Sequence, residues 1–306
     1  TVGALQDLAR SYRDELAKGT CKVIGVAGSN GKTTTRHLIH HVLTHAGKRG
    51  TQSPKSFNNH LGVPLTLLAA LPGDDFVACE IGTNHPGEID FLSAIARPDI
   101  AVITSIGEEH LEFFKDIEGV TKEELSIANH FDEKTWCMVG PTVPWHNSPL
   151  ESAVMRVEIY NGDISELGRV IDPAHEATQE CAKLAAWVAR SLSLSADAVS
   201  SALRCAITPP GRWEKLRYGD GVTVINDAYN ANPSSMTSAL STLGSEAQAR
   251  SGARGVAILG DMFELGEHAI TGHREGGEGA RDVDCNVDQL IAIGEDAQTM
   301  ADAFDQ

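Results

Sequence analysis

Basic residues are scarce in this sequence. Lys and Arg together number 25 against 42 Asp and Glu, which gives a formal net charge of −17. A surface of that sign argues against nonspecific binding to nucleic acid, whose phosphates need a basic partner. An anionic small molecule must therefore be held by local features of the fold, and we expect no nucleic-acid partner.

Metal-like cysteine spacing and long apolar runs are also missing. The six cysteines form no C-x-x-C pair, and dispersed cysteines are typical of a reduced, cytoplasmic protein. No apolar run reaches the length of a membrane span, and the first residues carry no signal-peptide pattern. We expect a cytoplasmic protein with no membrane partner. With 306 residues, 42% of them hydrophobic, the chain is long enough for two domains with separate cores.

The most informative stretch is glycine-rich and covers residues 25–34. It follows an apolar run at 21–26 and precedes a helical pattern from about 33 to 46. Such a turn between a strand and a helix directs backbone N–H groups and the positive end of the helix at phosphate oxygens. Lys32 is expected to neutralise the β- and γ-phosphates, and Thr33 to hold Mg²⁺. ATP is therefore the predicted ligand.

The spacing of this loop differs from the common phosphate loop. G-x-x-x-x-G-K-[ST] requires a glycine where Val26 stands, and the sequence here reads G-x-x-G-x-N-G-K-T-T. A glycine-rich turn alone is weak evidence. Seven matched positions between a predicted strand and a predicted helix are much stronger evidence for phosphate binding.

Strands and helices alternate along the predicted chain. The predicted strands are 22–27, 76–81, 100–105, 222–226, 256–259 and 289–293, and the predicted helices are 1–20, 33–46, 176–189 and 196–204. This order predicts a doubly wound α/β fold. We expect a central P-loop ATPase-like domain with a mainly parallel sheet and a smaller Rossmann-like α/β domain. The Pro-Pro-Gly run at 209–211 marks a boundary near residue 208.

Polar residues follow two of the predicted strands in the first half. Glu80 ends one strand, and His110 comes a few residues after the next. Ligands of parallel sheets bind beyond the carboxyl ends of the strands, so we expect both residues to face the phosphate loop. A carboxylate and a neutral imidazole suit Mg²⁺ or Mn²⁺. The alternative is that Glu80 caps a helix and His110 is polar surface.

In the second half, Arg212 lies at the predicted hinge. We expect its guanidinium to reach the γ-phosphate and stabilise charge there. Asp227 follows a predicted strand and is expected to accept a hydrogen bond from a ribose hydroxyl, with a turn or N-cap role as the alternative. The loop at 260–266 also follows a strand and is either a binding loop or a structural turn.

A histidine row lies on the predicted helix 33–46. His37, His41 and His45 recur every four residues, with His40 beside them. Two histidines four apart can share a metal ion. Because the sequence shows no acidic residue or second cluster to accompany them, we interpret the row as a partly exposed helix face.

Seven motifs, in this order, resemble the ATP-dependent Mur ligases of peptidoglycan synthesis. They are GSNGKTT at 28–34, NNHLGVPLTLL at 58–68, EIGTNHPGEI at 80–89, HLE at 110–112, GR at 211–212, NDAYNANPSSM at 226–236 and GDMFELG at 260–266. The last two runs favour the members that add D-alanyl-D-alanine. The resemblance covers nearly the whole chain.

The resemblance implies a reaction and a domain order. ATP would phosphorylate the terminal carboxylate of UDP-N-acetylmuramoyl-tripeptide, and the amine of D-alanyl-D-alanine would attack the acyl phosphate. Residues 1–20 would be the linker helix that ends an amino-terminal UDP-sugar domain. Residues 21–208 would form the central ATP-binding domain, and 209–306 an incomplete carboxy-terminal domain. We expect these small molecules as substrates and a monomeric protein.

The resemblance also implies site residues. The catalytic set is Lys32, Glu80, His110, Lys122 and Arg212. The ATP set is Gly28, Ser29, Asn30, Gly31, Lys32, Thr33, Thr34, Asn59, Arg212, Asp227 and Asn230. The metal set is Thr33, Glu80, His110 and a carbamoylated Lys122, and the acceptor set is Asn232, Asp261 and His273.

Two departures from the family pattern leave alternatives open. Lys122 lies about two residues closer to His110 than in the family, and a solvated helix lysine is its other interpretation. The adenine-side motif His-Asn-x-x-Asn begins here with His175 and Glu176 and ends with Gln179, which removes amide donors. The alternatives are a nucleotide-binding protein without turnover, or a ligase with another acceptor, such as a folylpolyglutamate or cyanophycin synthetase.

Overall fold

The chain forms two compact α/β units. The computed structural model describes residues 1–146, 148, 157–159, 175–282, 285 and 287–306. Unit 1 comprises Thr1–Gly107, Ile117–Ile171 and Thr178–Pro209, and unit 2 comprises Glu108–Asp116, Asp172–Ala177 and Pro210–Gln306. The segment that carries His110 thus belongs to unit 2.

Unit 1 is built on a parallel sheet. Its strands are β1 Lys22–Ala27, β2 Gly50–Gln52, β3 Phe76–Glu80, β4 Ile100–Ile103, β5 Trp136–Val139 and β6 Val157–Ile159. They lie in the order β2-β3-β1-β4-β5-β6, and every pair is parallel. The predicted fold class, with a mainly parallel sheet in the central domain, is confirmed.

Helices cover both faces of this sheet. They are α1 Val2–Ala17, α2 Lys32–His45, α3 Gly62–Leu68, α4 Glu88–Ala96, α6 Ile117–Leu125, α7 Glu176–Ser191 and α8 Ala196–Arg204. One apolar cluster lies under α2, α7 and α8, and a second under α1, α3 and α4. Because both faces are covered, β3 and β4 are buried along their whole length. Ligands of parallel sheets bind beyond the carboxyl ends of the strands, so a site is expected there.

Unit 2 contains two small sheets. Its helices are α5 Leu111–Phe114, α9 Pro233–Gln248, α10 Ala269–Arg281 and α11 Ala297–Asp305, and its strands are β7 Glu214–Arg217, β8 Thr223–Asn226, β9 Gly255–Leu259 and β10 Val287–Ala292. β9 and β10 pair in parallel. Its core is centred on Met236, Leu240, Ala257, Met262 and Ala280. In the described part of the chain, every helix is too short or too polar to cross a bilayer.

One strand pairs differently from the prediction. The sequence places 222–226 in a parallel sheet, but β8 pairs antiparallel with β7. The connection between these strands is a short turn that contains Gly219–Gly221. A parallel pair requires a crossover of a dozen or more residues, so this connection permits only a hairpin.

Arg13 anchors α1 to unit 1. Its side chain is 6% exposed. The guanidinium donates to Ala96 O at 2.9 Å, to Arg97 O at 2.7 Å and to Asp99 Oδ2 at 2.9 Å. The first two acceptors are carbonyls at the carboxyl end of α4, which have no partner within that helix. One buried charge therefore fixes two helices to each other.

Replacing Arg13 by Met is expected to lower the free energy of unfolding of unit 1 by roughly 3 kcal/mol. The substitution removes a charged donor from buried carbonyls and leaves Asp99 without its closest cation. Urea unfolding followed by circular dichroism measures the change.

Arg10→Met is the matched control on the same helix. Arg10 pairs with Asp7 in an exposed i,i+3 ion pair, so its loss is expected to cost less than about 1 kcal/mol. Equal losses for the two variants would contradict the anchoring role of Arg13.

Candidate phosphate and metal site

The glycine-rich loop lies between the end of β1 and the start of α2. Gly28 has φ 112° and Gly31 has φ 85°, in the left-handed region that favours glycine. A Cβ atom on Gly28 would lie 2.4 Å from Thr104 Oγ1 and 2.7 Å from Thr104 N. The backbone therefore passes too close to Thr104, the residue after β4, for any side chain at this position.

Contacts with neighbouring segments of unit 1 hold the loop. Gly28 N donates to Glu124 Oε2 at 2.6 Å, and Ser29 N donates to Ser105 O at 2.8 Å. Asn30 N donates to Ser105 Oγ at 3.0 Å. The positive end of α2 is thus presented at a loop whose shape is already fixed.

The Lys32 side chain folds over this loop. Its Nζ atom donates to Gly28 O at 2.5 Å and to Ser29 O at 3.0 Å. The ammonium group therefore lies against the backbone that is expected to surround the phosphates. This is where a cation must be to neutralise an anion held by the loop.

Glu80 is the centre of a buried polar cluster at the end of β3. Its side chain is 1% exposed. Thr33 Oγ1 donates to Oε1 at 3.0 Å and Asn58 Nδ2 donates to the same oxygen at 3.2 Å. Arg36 Nε donates to Oε2 at 3.3 Å. The structure thus brings together Thr33 and Glu80, two of the predicted metal ligands, and Glu80 does not act as a helix cap.

Sequence reasoning missed three residues of this region. Arg36 follows Thr33 by three positions and so lies on the same face of α2. Asn58, and not its predicted neighbour Asn59, contacts Glu80. Asn59 Oδ1 instead accepts hydrogen bonds from the backbone at the start of α3. Glu124, the third, lies two positions after the predicted Lys122, and nothing in the sequence indicates that it contacts the loop.

Lys122 lies on α6 beside two glutamates. Glu123 accepts from Gly87 N at 2.7 Å and from Ile89 N at 2.9 Å, and Glu124 binds the phosphate loop. Both glutamates are buried, whereas Lys122 is exposed. This orientation is the one expected of a solvated helix lysine. Carbamoylation of Lys122 stays a prediction.

In unit 2, His110 pairs with Glu264. His110 Nδ1 contacts Glu264 Oε2, and Glu112 N donates to Glu264 O at 3.1 Å. His110 has φ 50° and Glu264 has φ 61°. Left-handed conformations cost non-glycine residues energy and cluster at functional sites. The expectation that His110 shares a crevice with Glu80 stays a prediction.

Three predicted residues meet in a cleft of unit 2. His110, Asn230 and Asn232 line it together with Glu264 and the exposed Phe263, and its volume is about 360 Å³. The residues come from three separate sequence motifs. Their convergence shows that these motifs build one surface in the folded chain.

Arg212 and Asp227 lie in one neighbourhood of unit 2. The Arg212 guanidinium carbon is 4.1 Å from the centre of the Tyr229 ring. Trp213 N donates to Asp227 Oδ1 at 2.8 Å, and His175 stacks on the Trp213 ring at 4.1 Å. Desolvation raises the pKa of the Asp227 carboxyl above its usual value, and the Trp213 amide and the Arg212 charge oppose that shift.

All three residues of the predicted acceptor set form hydrogen bonds with other residues of unit 2. Asn232 Oδ1 accepts from Ser235 N at 2.8 Å in the capping box that begins α9. Asp261 accepts from Glu295 N at 2.8 Å. His273 is fully buried, and its ring nitrogens lie 2.9 Å from Met262 N and 2.7 Å from Ala269 O. These contacts favour structural roles for all three residues. Their contact with an acceptor stays a prediction.

Comparisons with known proteins agree with the order of these motifs. The sequence profile of the Mur ligase middle domain matches residues 26–148, and that of the Mur ligase glutamate ligase domain matches residues 211–306. The chain belongs to the Mur ligase family. The resemblance predicted from the seven motifs is thereby confirmed.

Two similar relatives carry the same name. The chain is 34% identical to the UDP-N-acetylmuramoyl-tripeptide–D-alanyl-D-alanine ligase of Bacillus subtilis, covering 90% of this chain and 63% of that protein. It is 35% identical to the enzyme of the same name from Mycobacterium bovis, covering 96% of this chain and 62% of that protein. The chain therefore spans less than two thirds of these relatives.

Solved structures show the same fold. MurF from Acinetobacter baumannii superposes with a TM-score of 0.86 at 26% identity, over 99% of this chain and 70% of that one. MurF from Thermotoga maritima, solved with ADP, gives a TM-score of 0.79 at 24% identity, over 98% and 72% of the two chains. The described part of this chain therefore has the fold of these MurF structures.

Replacing Glu124 by Ala is expected to loosen the phosphate loop. The Gly28 amide would lose its acceptor in a buried place, which costs ~1–3 kcal/mol of local stability and speeds amide exchange of the loop accordingly. Hydrogen–deuterium exchange of the peptide that covers the loop measures this. Glu118→Ala on the exposed side of the same helix is the control, and equal exchange in both variants would contradict the role of Glu124.

Proposed function

We propose that this chain is the catalytic part of an ATP-dependent ligase that adds D-alanyl-D-alanine to UDP-N-acetylmuramoyl-tripeptide. The observation that carries the proposal is the phosphate loop of unit 1, where Lys32 lies over the backbone and Thr33 meets the buried Glu80. The names of the relatives supply the substrates.

The loop supports the nucleotide part of the proposal. An incoming triphosphate would find the positive end of α2 and an ammonium group in place. Lys32 would exchange its contacts with two loop carbonyls for phosphate oxygens. Because Glu124 and Ser105 already fix the loop, little further ordering is required on binding.

The donor set at Glu80 fits a divalent cation. The Thr33 hydroxyl and the Glu80 carboxylate offer hard oxygen ligands 3.0 Å apart, which suit Mg²⁺ better than softer ions. Bound there, Mg²⁺ would neutralise charge on the phosphates. Mn²⁺ accepts the same ligands. Arg36 holds the Glu80 carboxylate in position from the other side.

Charge is the difficulty of the first step. A substrate carboxylate must approach the γ-phosphate, although both are anionic. In the proposal, Lys32 neutralises the phosphate oxygens, the carboxylate attacks phosphorus, and ADP leaves. The amine of D-alanyl-D-alanine then attacks the acyl phosphate, and the tetrahedral intermediate releases phosphate.

The remaining residue roles belong to the same proposal. His110, Lys122 and Arg212 keep their predicted catalytic roles, and Asp227 its predicted ribose contact. The cleft lined by Asn230 supports a small-molecule site in unit 2. Each of these roles can be tested by substitution in the assay described below.

We also propose that the protein is a cytoplasmic monomer. All six cysteines are free thiols, which fits a reducing compartment. Burial raises the pKa of Cys79 and Cys137 to about 12 and that of Cys21 to about 11, so these thiols stay protonated and unreactive. Sedimentation at several concentrations tests the monomer.

The test of the function is phosphate release from ATP and Mg²⁺ by the full-length protein. Release that requires both UDP-N-acetylmuramoyl-tripeptide and D-alanyl-D-alanine is the expected result. Release stimulated by a different amino acid would indicate a ligase with another acceptor. ATP binding without stimulated release would indicate a nucleotide-binding protein without turnover. Either of these two outcomes would overturn the proposal.

Replacing Lys32 by Ala is expected to lower kcat/KM of that reaction at least about 100-fold, because the transferred phosphoryl group loses its positioned cation. Lys134→Ala, an exposed lysine of the same unit, is the control and is expected to keep full activity. Undiminished turnover of the Lys32 variant would rule out the phosphate-loop assignment.

A further inference from the structure

A histidine–cysteine cluster lies on unit 1, away from the phosphate loop. α2 presents His41 and His45 one helical turn apart, and Cys205 caps the carboxyl end of α8 opposite them. The Cys205 Sγ atom is 3.7 Å from His41 Nε2 and 3.8 Å from His45 Nδ1. The sequence shows the two histidines as a helix face. It gives no sign that a cysteine 160 positions further along joins them.

The two sulfur–nitrogen distances are close to those of a tetrahedral metal site. Bond lengths of about 2.3 Å to sulfur and about 2.0–2.1 Å to nitrogen place the two donor atoms roughly 3.5 Å apart around zinc. The observed sulfur–nitrogen distances exceed this by a few tenths of an ångström. All three donor atoms lie within 4.8 Å of one another. The distances are therefore compatible with an ion shared by the three side chains.

Both elements that carry the donors are fixed in the core of unit 1. Val42 and Leu43 of α2 and Ala202 and Leu203 of α8 are completely buried next to the cluster. The separation of the donors is thus set by helix packing and not by a flexible loop. This preorganisation removes much of the ordering cost of binding.

The donors are accessible from solvent. His41 is half-buried, and His45 and Cys205 are exposed. Three protein ligands on an accessible surface leave the fourth position of a tetrahedral ion for water. The ion can enter without any opening of the fold.

One backbone carbonyl lies beside two of the donors. Ala202 O is 2.9 Å from His41 Nε2 and 3.2 Å from Cys205 Sγ. Without metal, both groups can direct a hydrogen at this oxygen. Metal binding instead requires Cys205 as the thiolate and His41 with its hydrogen on Nδ1, so that Nε2 can bind the ion. The proton of the Cys205 thiol is therefore released to solvent.

We propose that His41, His45 and Cys205 form a zinc-binding site on unit 1. Thiolate and imidazole ligands select zinc and softer ions over Mg²⁺, which prefers oxygen. His41 lies nine residues beyond Lys32 on α2, which is roughly 14 Å along the helix axis. The site is thus separate from the proposed nucleotide site and does not depend on it.

Cobalt substitution tests the site directly. The full chain, reduced with a reagent that carries no thiol, is titrated with Co²⁺. We expect one ion per chain that produces a thiolate-to-cobalt charge-transfer band, which oxygen ligands at Glu80 do not give. Competition with Zn²⁺ should remove the band, and Mg²⁺ should not. The other five cysteines are buried, so the band reports on Cys205.

Substitutions assign the ligands. Cys205→Ser is expected to abolish the band. His41→Gln and His45→Gln are each expected to weaken zinc binding at least about tenfold. Loss of a ligand's hydrogen-bond partner already has an effect of that size, so loss of the ligand itself should not have a smaller one. His37→Gln, one turn earlier on the same helix, is the matched control and should bind as the unsubstituted chain does. A band that persists in Cys205→Ser would overturn the proposal. A band that changes neither in His41→Gln nor in His45→Gln would also overturn it.

Thiol alkylation supplies a second readout. Zinc at equimolar concentration is expected to slow iodoacetamide modification of Cys205, as judged by mass spectrometry, and magnesium is not. Modification at the same rate with and without zinc, together with the absence of the cobalt band, would show that the cluster does not bind metal.

Discussion

A carboxylate buried at the end of a strand must be paired, and at Glu80 this requirement organises the whole phosphate region of unit 1. Arg36 supplies the charge, and Thr33 and Asn58 supply hydrogen bonds. Two of these three partners come from the first turns of α2, so pairing Glu80 fixes that helix against β3. The beginning of the same helix is the positive end of the phosphate loop, and its far end carries the histidines of the proposed zinc site.

Much of the fold of unit 1 can be predicted from the sequence, because its strands and helices have clear hydrophobic patterns. β1, β3 and β4 are continuous apolar runs, as strands buried on both faces must be, and α2, α7 and α8 repeat at helical spacing. The missed strands, among them β2 and β7, are short or carry polar residues, so they give no clear pattern. The hairpin of β7 and β8 was outside the prediction because strand direction is set by the connection and not by the strand itself.

Candidate site residues could be predicted from the sequence where the local conformation of the chain requires one particular residue type. Gly28 must tolerate the close approach of Thr104, and Lys32 must begin a helix after a tight turn. Residues that act through tertiary contact carried no such signal. Glu124 reaches Gly28 across 96 positions, and Cys205 reaches His45 across 160. Local pattern does not encode contacts of that range.

The most direct test of this account compares ATP affinity with Mg²⁺ and with chelator by titration calorimetry, in the natural chain and in Glu80→Gln. The amide keeps a hydrogen-bond acceptor for Thr33 but loses the charge that offsets a cation. If Glu80 and Thr33 hold Mg²⁺ beside the phosphate loop, Mg²⁺ will tighten ATP binding to the natural chain, and the substitution will remove most of that gain. An equal gain in both proteins, or none in the natural chain, would contradict the account.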